Sequence, residues 1–292
     1  MNVLRPVLTS RAAKATTALG TVLLCAGSVV ASSRHVEKRF KVDAHPIVTV
    51  HNPNGTLTIK AWSRPEVKVA FDLQSDKVDV DAEQSGNRVE VNAHALSSNI
   101  SPEEFRADLE LFVPEDTELQ IHNDSGSVDV ADVMGDMAVD TVAAGVDLQD
   151  AAGYLTIKTV EGSIKCLRCA GRLEITSVSG NIKLLEMRSY NVRAQTWAGD
   201  MLFDGEFLPN GTYRLKNYSG LIEVRFSPAD SIDLSATSVR GKVDSQANLD
   251  PPRHSRAYES KFSHSLFGVL NQGKAKVELV SFDGTINIHK RE

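Results

Sequence analysis

Apolar and polar residues alternate in short bursts along most of the chain, and from Leu119 onward the bursts recur at a fixed interval. The segments "LQIHNDSGSVDVADV" from Leu119, "MAVDTVAAGVDLQDA" from Met137, "LTIKTVEGSIKCLRC" from Leu155 and "LEITSVSGNIKLLEM" from Leu173 begin 18 residues apart. Looser copies follow from Val192, Tyr213 and Leu234, and "VTVHNPNGTLTIKAW" from Val48 and "VELVSFDGTINIHK" from Val277 share the cadence near the two ends. Each unit has a small residue at its centre, the slot of Gly126, Ala144, Gly162, Gly180, Gly199, Gly220 and Gly241. Two and four residues after it come apolar columns, Val128, Val146, Ile164, Ile182 and Val130, Leu148, Cys166, Leu184 among them. Before it lie the columns of Ile121, Val139, Ile157, Ile175 and of Leu119, Met137, Leu155, Leu173. Period-2 alternation on both sides of a small-residue corner predicts two short strands per unit.

Such a unit cannot bury its apolar face alone, whereas copies stacked at a fixed period make each column a continuous core. The expected fold is therefore all-β: a β-solenoid, like a parallel β-helix, of about seven rungs of roughly 18–21 residues. A meander of antiparallel hairpins is the competing arrangement. It would alternate two kinds of turn, and here every turn recurs at the same place in each unit. The rungs occupy 118–249. Residues 32–117 read as a β-rich N-terminal cap, with Gly86 and Asn87 turning a hairpin and a short helical turn at "SPEEF". After the two prolines of "DPPRHSR", residues 250–292 read as a loop and closing strands. Caps are needed because a bare end exposes strand edges.

The first 31 residues differ from the rest. Arg5, Arg11 and Lys14 stand without any acid ahead of an apolar run, and Val29 and Ala31 are small residues where a signal peptidase cuts, so 1–31 is expected to be an export signal. An uncleaved anchor is disfavoured because the apolar run is shorter than the ~20 residues a membrane span needs. A lipoprotein site at Cys25 is disfavoured by the bulky Leu24 before it. The whole chain has a formal net charge of -6; losing the signal removes three positive charges and makes it -9. With both signs interspersed, nothing points to nucleic acid, and no membrane span is expected once the signal is gone. The expected location is the periplasm or cell surface.

Few residues carry candidate chemistry. Cys166 and Cys169 have C-x-x-C spacing, but they fall in columns filled elsewhere by apolar side chains, Cys169 in that of Val133, Ala151 and Met187. Buried packing is the first reading, and a structural disulfide across the corner, which export permits, is the second. A redox pair wants a helix N-terminus and zinc wants further ligands, neither of which is nearby in sequence. Outward slots place Asp140 beside Lys158 and Asp147 beside Lys165, as a solvated face would. No metal or cofactor is expected. Trp197 and Tyr218 share a column with Val160 and Val178 and are expected in the core.

The units "VSGNIKL", "EGSIKC" and "YSGLIEV", with "NPNGTLTI" near the start and "FDGTINIHK" at the end, resemble the bacterial putative-adhesin family of β-strand-repeat proteins over about 45–290. The resemblance implies a β-solenoid exposed in the cell envelope, in some cases associated with envelope-stress signalling, and carries over no catalytic residues. Ala144 in the glycine slot and the longer spacings after Gly180 depart from the simplest pattern. The expected function is a non-enzymatic adhesin, scaffold or binding module, with an envelope protein or a polysaccharide as partner; a regulatory sensor of envelope stress would share the same fold. A polysaccharide-active enzyme is the alternative, and Asp200, Asp204 and Glu206, in the longer stretch between Leu184 and Gly220, are where its site would lie.

Overall fold

In the computed structural model, the described residues are 34–73, 75–97, 100–101, 105–251 and 264–291. The expected export signal and most of the helical turn at "SPEEF" lie outside them. The first strands are β1 (Arg34–Lys41), β2 (Ile47–Trp62), β3 (Glu66–Leu73), β4 (Val78–Ser85), β5 (Arg88–Ala95) and β6 (Ala107–Pro114). The repeats supply β7 (Glu118–Ala131), β8 (Met137–Gln149), β9 (Ala152–Glu161), β10 (Ile164–Leu167), β11 (Ala170–Ser179), β12 (Ile182–Ala198), β13 (Met201–Gly205), β14 (Thr212–Ser219), β15 (Leu221–Phe226), β16 (Ile232–Ser238) and β17 (Val243–Ser245). The chain ends with β18 (Ser265–Leu270), β19 (Ala275–Ser281) and β20 (Thr285–Lys290). The described residues form an all-β, solenoid-like stack.

Successive units pair in parallel and in register. Leu119 faces Met137, Met137 faces Leu155, Leu155 faces Leu173 and Leu173 faces Val192, so each column read from the sequence is a ladder in space. The residues before the corner make one face of the stack and those after it a second. Because β2, β7 and β8 run through the small-residue corner unbroken and β12 runs through the other corner of its unit, the faces join in one 20-stranded sheet. The inward columns are buried throughout, from Val48 on β2 to Ile288 on β20.

Two corners per unit explain the fixed period. At the first, the small residues lie one on another. Gly126 has φ 104°, and a Cβ placed on it would sit 2.1 Å from the carbonyl oxygen of Gly55 on the rung below, so only glycine fits. At the second, the left-handed residues Asp132, Asp150, Arg168 and Glu186 recur every 18 positions with φ between 51° and 63°. Non-glycine residues resist this region. A backbone ladder holds them there, with Asp132 N–H donating to Gln149, Asp150 to Leu167 and Arg168 to Leu185 at 3.0–3.1 Å.

The ends of the stack differ from the sequence reading. β2 pairs with β7 along its whole length, Val48 on Leu119 through Lys60 on Ala131, so the repeat begins at residue 47 and the capping strands lie between these two units in sequence only. Below β2, β5 and β6 continue the parallel pairing, and antiparallel β4 and β3 cover them, the β4–β5 hairpin turning at Gly86. The C-terminal strands do not close the stack. β19 lies between β14 and β16, and β20 between β15 and β17, so the last unit in sequence is inserted one place inward. Its residues Val277, Leu279, Ile286 and Ile288 match the inward columns on both sides, which is why the register accepts it.

Candidate functional site

The corner that holds the glycines is also where the molecule departs most from an ordinary soluble surface. Three positions before the corner residue, each unit places a polar side chain inside: Asn52, Asn123, Thr141, Thr159, Ser177, Thr196, Asn217, Ser281 and Ser238 are all buried. Several of them cap the bend. Asn123 Nδ2 donates to the Ser125 carbonyl at 2.9 Å, Thr159 Oγ1 to Glu161 at 2.9 Å and Asn217 Nδ2 to Ser219 at 3.2 Å, so groups freed from the strand ladder at the turn find a partner. On the inserted unit the hydroxyl works in reverse, Ser281 Oγ accepting from Gly284 N–H at 2.9 Å.

Because this polar residue points inward, the next residue must point outward; after Asn52 and Asn123 it is Pro53 and Asp124, and on the other seven units it is a large apolar residue. Val142, Val160 and Val178, then Trp197, Tyr218 and Phe282, and finally Val239 occupy this position on seven neighbouring rungs, each between 36% and 60% exposed. The expectation that Trp197, Tyr218, Val160 and Val178 lie in the core is therefore corrected. Strand parity, which puts Val160 on the same side as Lys158, overrides hydrophobicity. The rings stack along the axis: Trp197 on Tyr218 at 4.7 Å and 1°, and Tyr218 on Phe282 at 4.7 Å and 14°. That spacing is the strand-to-strand distance, so the rung pitch imposes face-to-face stacking. Arg240 covers the far face of the ladder, its guanidinium 4.9 Å from the Phe282 ring and its Nη2 2.8 Å from Asp283. A shallow cleft of about 210 Å³ beside the rings is lined by Gln195, Lys216, Val280 and Val239 among others.

The sequence-named acids do not gather. Asp200 precedes β13 and accepts the Leu221 N–H at 2.8 Å. Asp204, at the other end of β13 and about 13 Å further along an extended strand, pairs with Arg291 at 2.7 Å and Arg225 at 3.4 Å. Glu206 is exposed. Aromatic residues of this longer stretch fill the core. Phe203, Phe207 and Tyr213 pack edge to face, and the Tyr213 hydroxyl accepts from Leu208 N–H at 2.7 Å and donates to the Ser189 carbonyl at 2.9 Å. Burial pushes that phenol up to about 12. A cleft of about 530 Å³ near Asp204 is lined by Glu223, Arg225, His289 and Arg291, whose charges mostly answer one another.

Cys166 and Cys169 are free and fully buried in the columns assigned from sequence. The hydrogen bond to Cys169, together with burial, pushes the Cys166 thiol well above its ordinary value, which disfavours a reactive thiolate. Asp147 and Lys165 pair at 2.7 Å as read from sequence, whereas Asp140, though facing Lys158 in register, lies 3.8 Å from the His122 ring. Among the described residues no cluster of three or more His, Cys, Asp or Glu is placed to hold a metal ion. No helix among them is long and apolar enough to cross a membrane.

Stacked corners, two strands per unit and a register kept over nearly the whole described chain agree with one family, and residues 48–289 match it. The chain belongs to the Toastrack DUF4097 family. Toastrack proteins have a β-solenoid-like repeat fold, as this chain does, and the resemblance to adhesin-type β-strand-repeat proteins holds. Solved structures similar to it include a putative cell adhesion protein from Clostridium sporogenes (12% identity, 89% of this chain and 100% of that one, TM-score 0.31). Others are putative adhesins from Bacteroides fragilis (11%, 89% and 99%, 0.41) and Parabacteroides distasonis (8%, 88% and 98%, 0.37). No curated protein matches the chain.

Proposed function

We propose that this Toastrack protein is a non-enzymatic, exported module of the cell envelope, a binding or scaffold protein that meets a macromolecular partner through its corner stripe. The stripe carries the reading. Seven apolar residues in an unbroken line leave on the order of 600 Å² in contact with water, the upper end of the largest apolar patch a typical monomer exposes, and patches of that size are often functional. They stand on a scaffold whose register fixes each position.

Ring geometry favours a protein partner over a polysaccharide. Sugars stack on open ring faces. Here both faces of Tyr218 are covered by neighbouring rings, and Phe282 lies between Tyr218 and Arg240. What the ladder offers is ring edges and valine methyls, which suit an apolar protein surface. Of the acids of the enzyme alternative, Asp200 is held by a backbone N–H and Asp204 by two arginines, while Glu206 faces solvent, so the three are not brought together as a catalytic set, which supports a non-catalytic role.

Pelleting of the purified chain with envelope fractions of the source cell tests this reading, with soluble sugar followed in the same tubes. Saturable pelleting that falls at least about tenfold in affinity on Trp197→Lys is expected. Sugar release abolished by Asp204→Ala would overturn the reading in favour of an enzyme.

A further inference from the structure

The stripe is graded along its length, and the grading makes it complementary to itself. In spatial order it runs Val142, Val160, Val178, Trp197, Tyr218, Phe282, Val239: a thin valine half, a bulky aromatic half, and Trp197 in the middle. We propose that the occupant of the stripe is a second copy of this chain, lying antiparallel across a twofold axis at the Trp197 rung. The proposal rests on the stripe being a contact surface and adds the identity of the partner.

Antiparallel apposition about that rung sets Val178 opposite Tyr218, Val160 opposite Phe282 and Val142 opposite Val239, while Trp197 meets its symmetry mate. Small faces large in the two pairs next to the axis on each side, and only the outermost pair sets valine on valine. Parallel apposition would set ring against ring at one end and valine against valine at the other, separating the copies at one end and leaving a gap at the other. Both copies repeat at the same strand spacing, so a register set at the centre holds along the whole stripe. The cleft of about 210 Å³ beside Trp197, Tyr218 and Phe282 gives the partner's valines a place to enter. An isologous contact uses the stripe twice, burying on the order of 1,200 Å², the lower bound for a specific protein–protein interface.

Polar flanks agree with this pairing near the axis. On the side of the first strands, Thr176 comes opposite Lys216, and Gln195 opposite its own mate; on the other side Ser179 comes opposite Ser219, and Ala198 opposite Ala198. None of these pairs sets like charges together; two rungs from the axis Glu161 comes opposite Asp283, whose carboxylate is already answered by Arg240 at 2.8 Å. A central tryptophan at a twofold axis, with smaller residues excluding water around it, has the composition of an interface hot spot.

Ser32–Glu292 is one compact unit and is the chain to test. Sedimentation velocity over a concentration series is expected to show a monomer–dimer equilibrium, and Trp197→Lys to weaken it at least about 100-fold while the chain stays folded, its thermal unfolding lowered only by the lost stack on Tyr218 and the lost association, since the side chain is 60% exposed. Geometry is read by oxidation: a mixture of Val178→Cys and Tyr218→Cys chains is expected to cross-link between the two, and neither variant alone to do so. Self-cross-linking of Val178→Cys alone would contradict the antiparallel arrangement. A chain that stays monomeric at every concentration overturns the second copy as occupant. If its pelleting with envelope fractions is still lost on Trp197→Lys, the stripe remains a binding surface for another protein; if that too is unaffected, both readings fail.

Discussion

Gly126 and Gly86 both have positive φ, yet their surroundings predict different outcomes for the same change. A Cβ on Gly126 would sit 2.1 Å from a backbone oxygen of the neighbouring rung, whereas one on Gly86 meets nothing within 4 Å. Gly126→Ala is expected to cost more than about 3 kcal/mol, because backbone must move, and Gly86→Ala only about 1 kcal/mol, the cost of a left-handed non-glycine residue. Urea unfolding of both variants checks this, and equal losses would contradict the stacked corner. Tyr213 gives a pH signature. Its folded-state value is raised to about 12 by burial, while the unfolded phenol titrates near 10. The folded state therefore prefers the neutral phenol: its contribution is complete below pH about 10 and is lost as pH rises toward about 12. Stability should fall over that window, and Tyr213→Phe should flatten the fall while costing about 1 kcal/mol at neutral pH through the lost bonds to Leu208 and Ser189. In protein kept reduced, Cys166 and Cys169 should not react with a thiol reagent until the chain is unfolded, since both are fully buried; rapid labelling of the folded chain would contradict their packing role.

At the level of the element, the corner is where sequence reading succeeded and also where it failed. Its period and its two strands were legible because the glycine slot and the inward columns repeat in register, and the structure stacks Leu119, Met137, Leu155 and Leu173 as read. The exposed stripe was missed because hydrophobicity was weighed above parity. Thr159 holds the inward position between Ile157 and the corner, so Val160 could only face out. The signal was the polar column itself, Asn or Thr or Ser three residues before each small corner residue, which reads as a loop by composition and on several units, Asn123, Thr159 and Asn217 among them, acts as an internal cap. Its contribution is measurable. Thr159→Val keeps the shape and removes the part-buried bond to the Glu161 carbonyl, so it should cost about 1 kcal/mol. Val160→Thr, one residue on and facing water, should stay within about 0.5 kcal/mol. The candidate acids failed for another reason: the Arg291 partner of Asp204 comes from the far end of the chain, by way of the inserted strand pair.

On the scale of the whole molecule, insertion of β19 and β20 makes the last residues of the chain structural for rungs that precede them. A chain ended after Asp250 would leave β16 and β17 without their parallel neighbours and β14 and β15 with open edges. Each rung supports only its neighbours, so limited proteolysis of such a truncation should digest residues beyond about 212 while the earlier rungs resist; uniform resistance would contradict the insertion. The same rigidity is what makes a single line of side chains usable as a recognition surface. Trp197 reports on it directly. In a Trp62→Phe chain it is the only tryptophan left, it is 60% exposed, and its emission should therefore lie at long wavelength. Titrating that chain, first with itself and then with envelope fractions, is the measurement that tests the account most directly. Emission should move to shorter wavelength in proportion to the fraction bound, as the stripe leaves water. Emission that stays unchanged while the chain demonstrably associates or pellets would place the contact elsewhere and contradict the stripe as the functional surface.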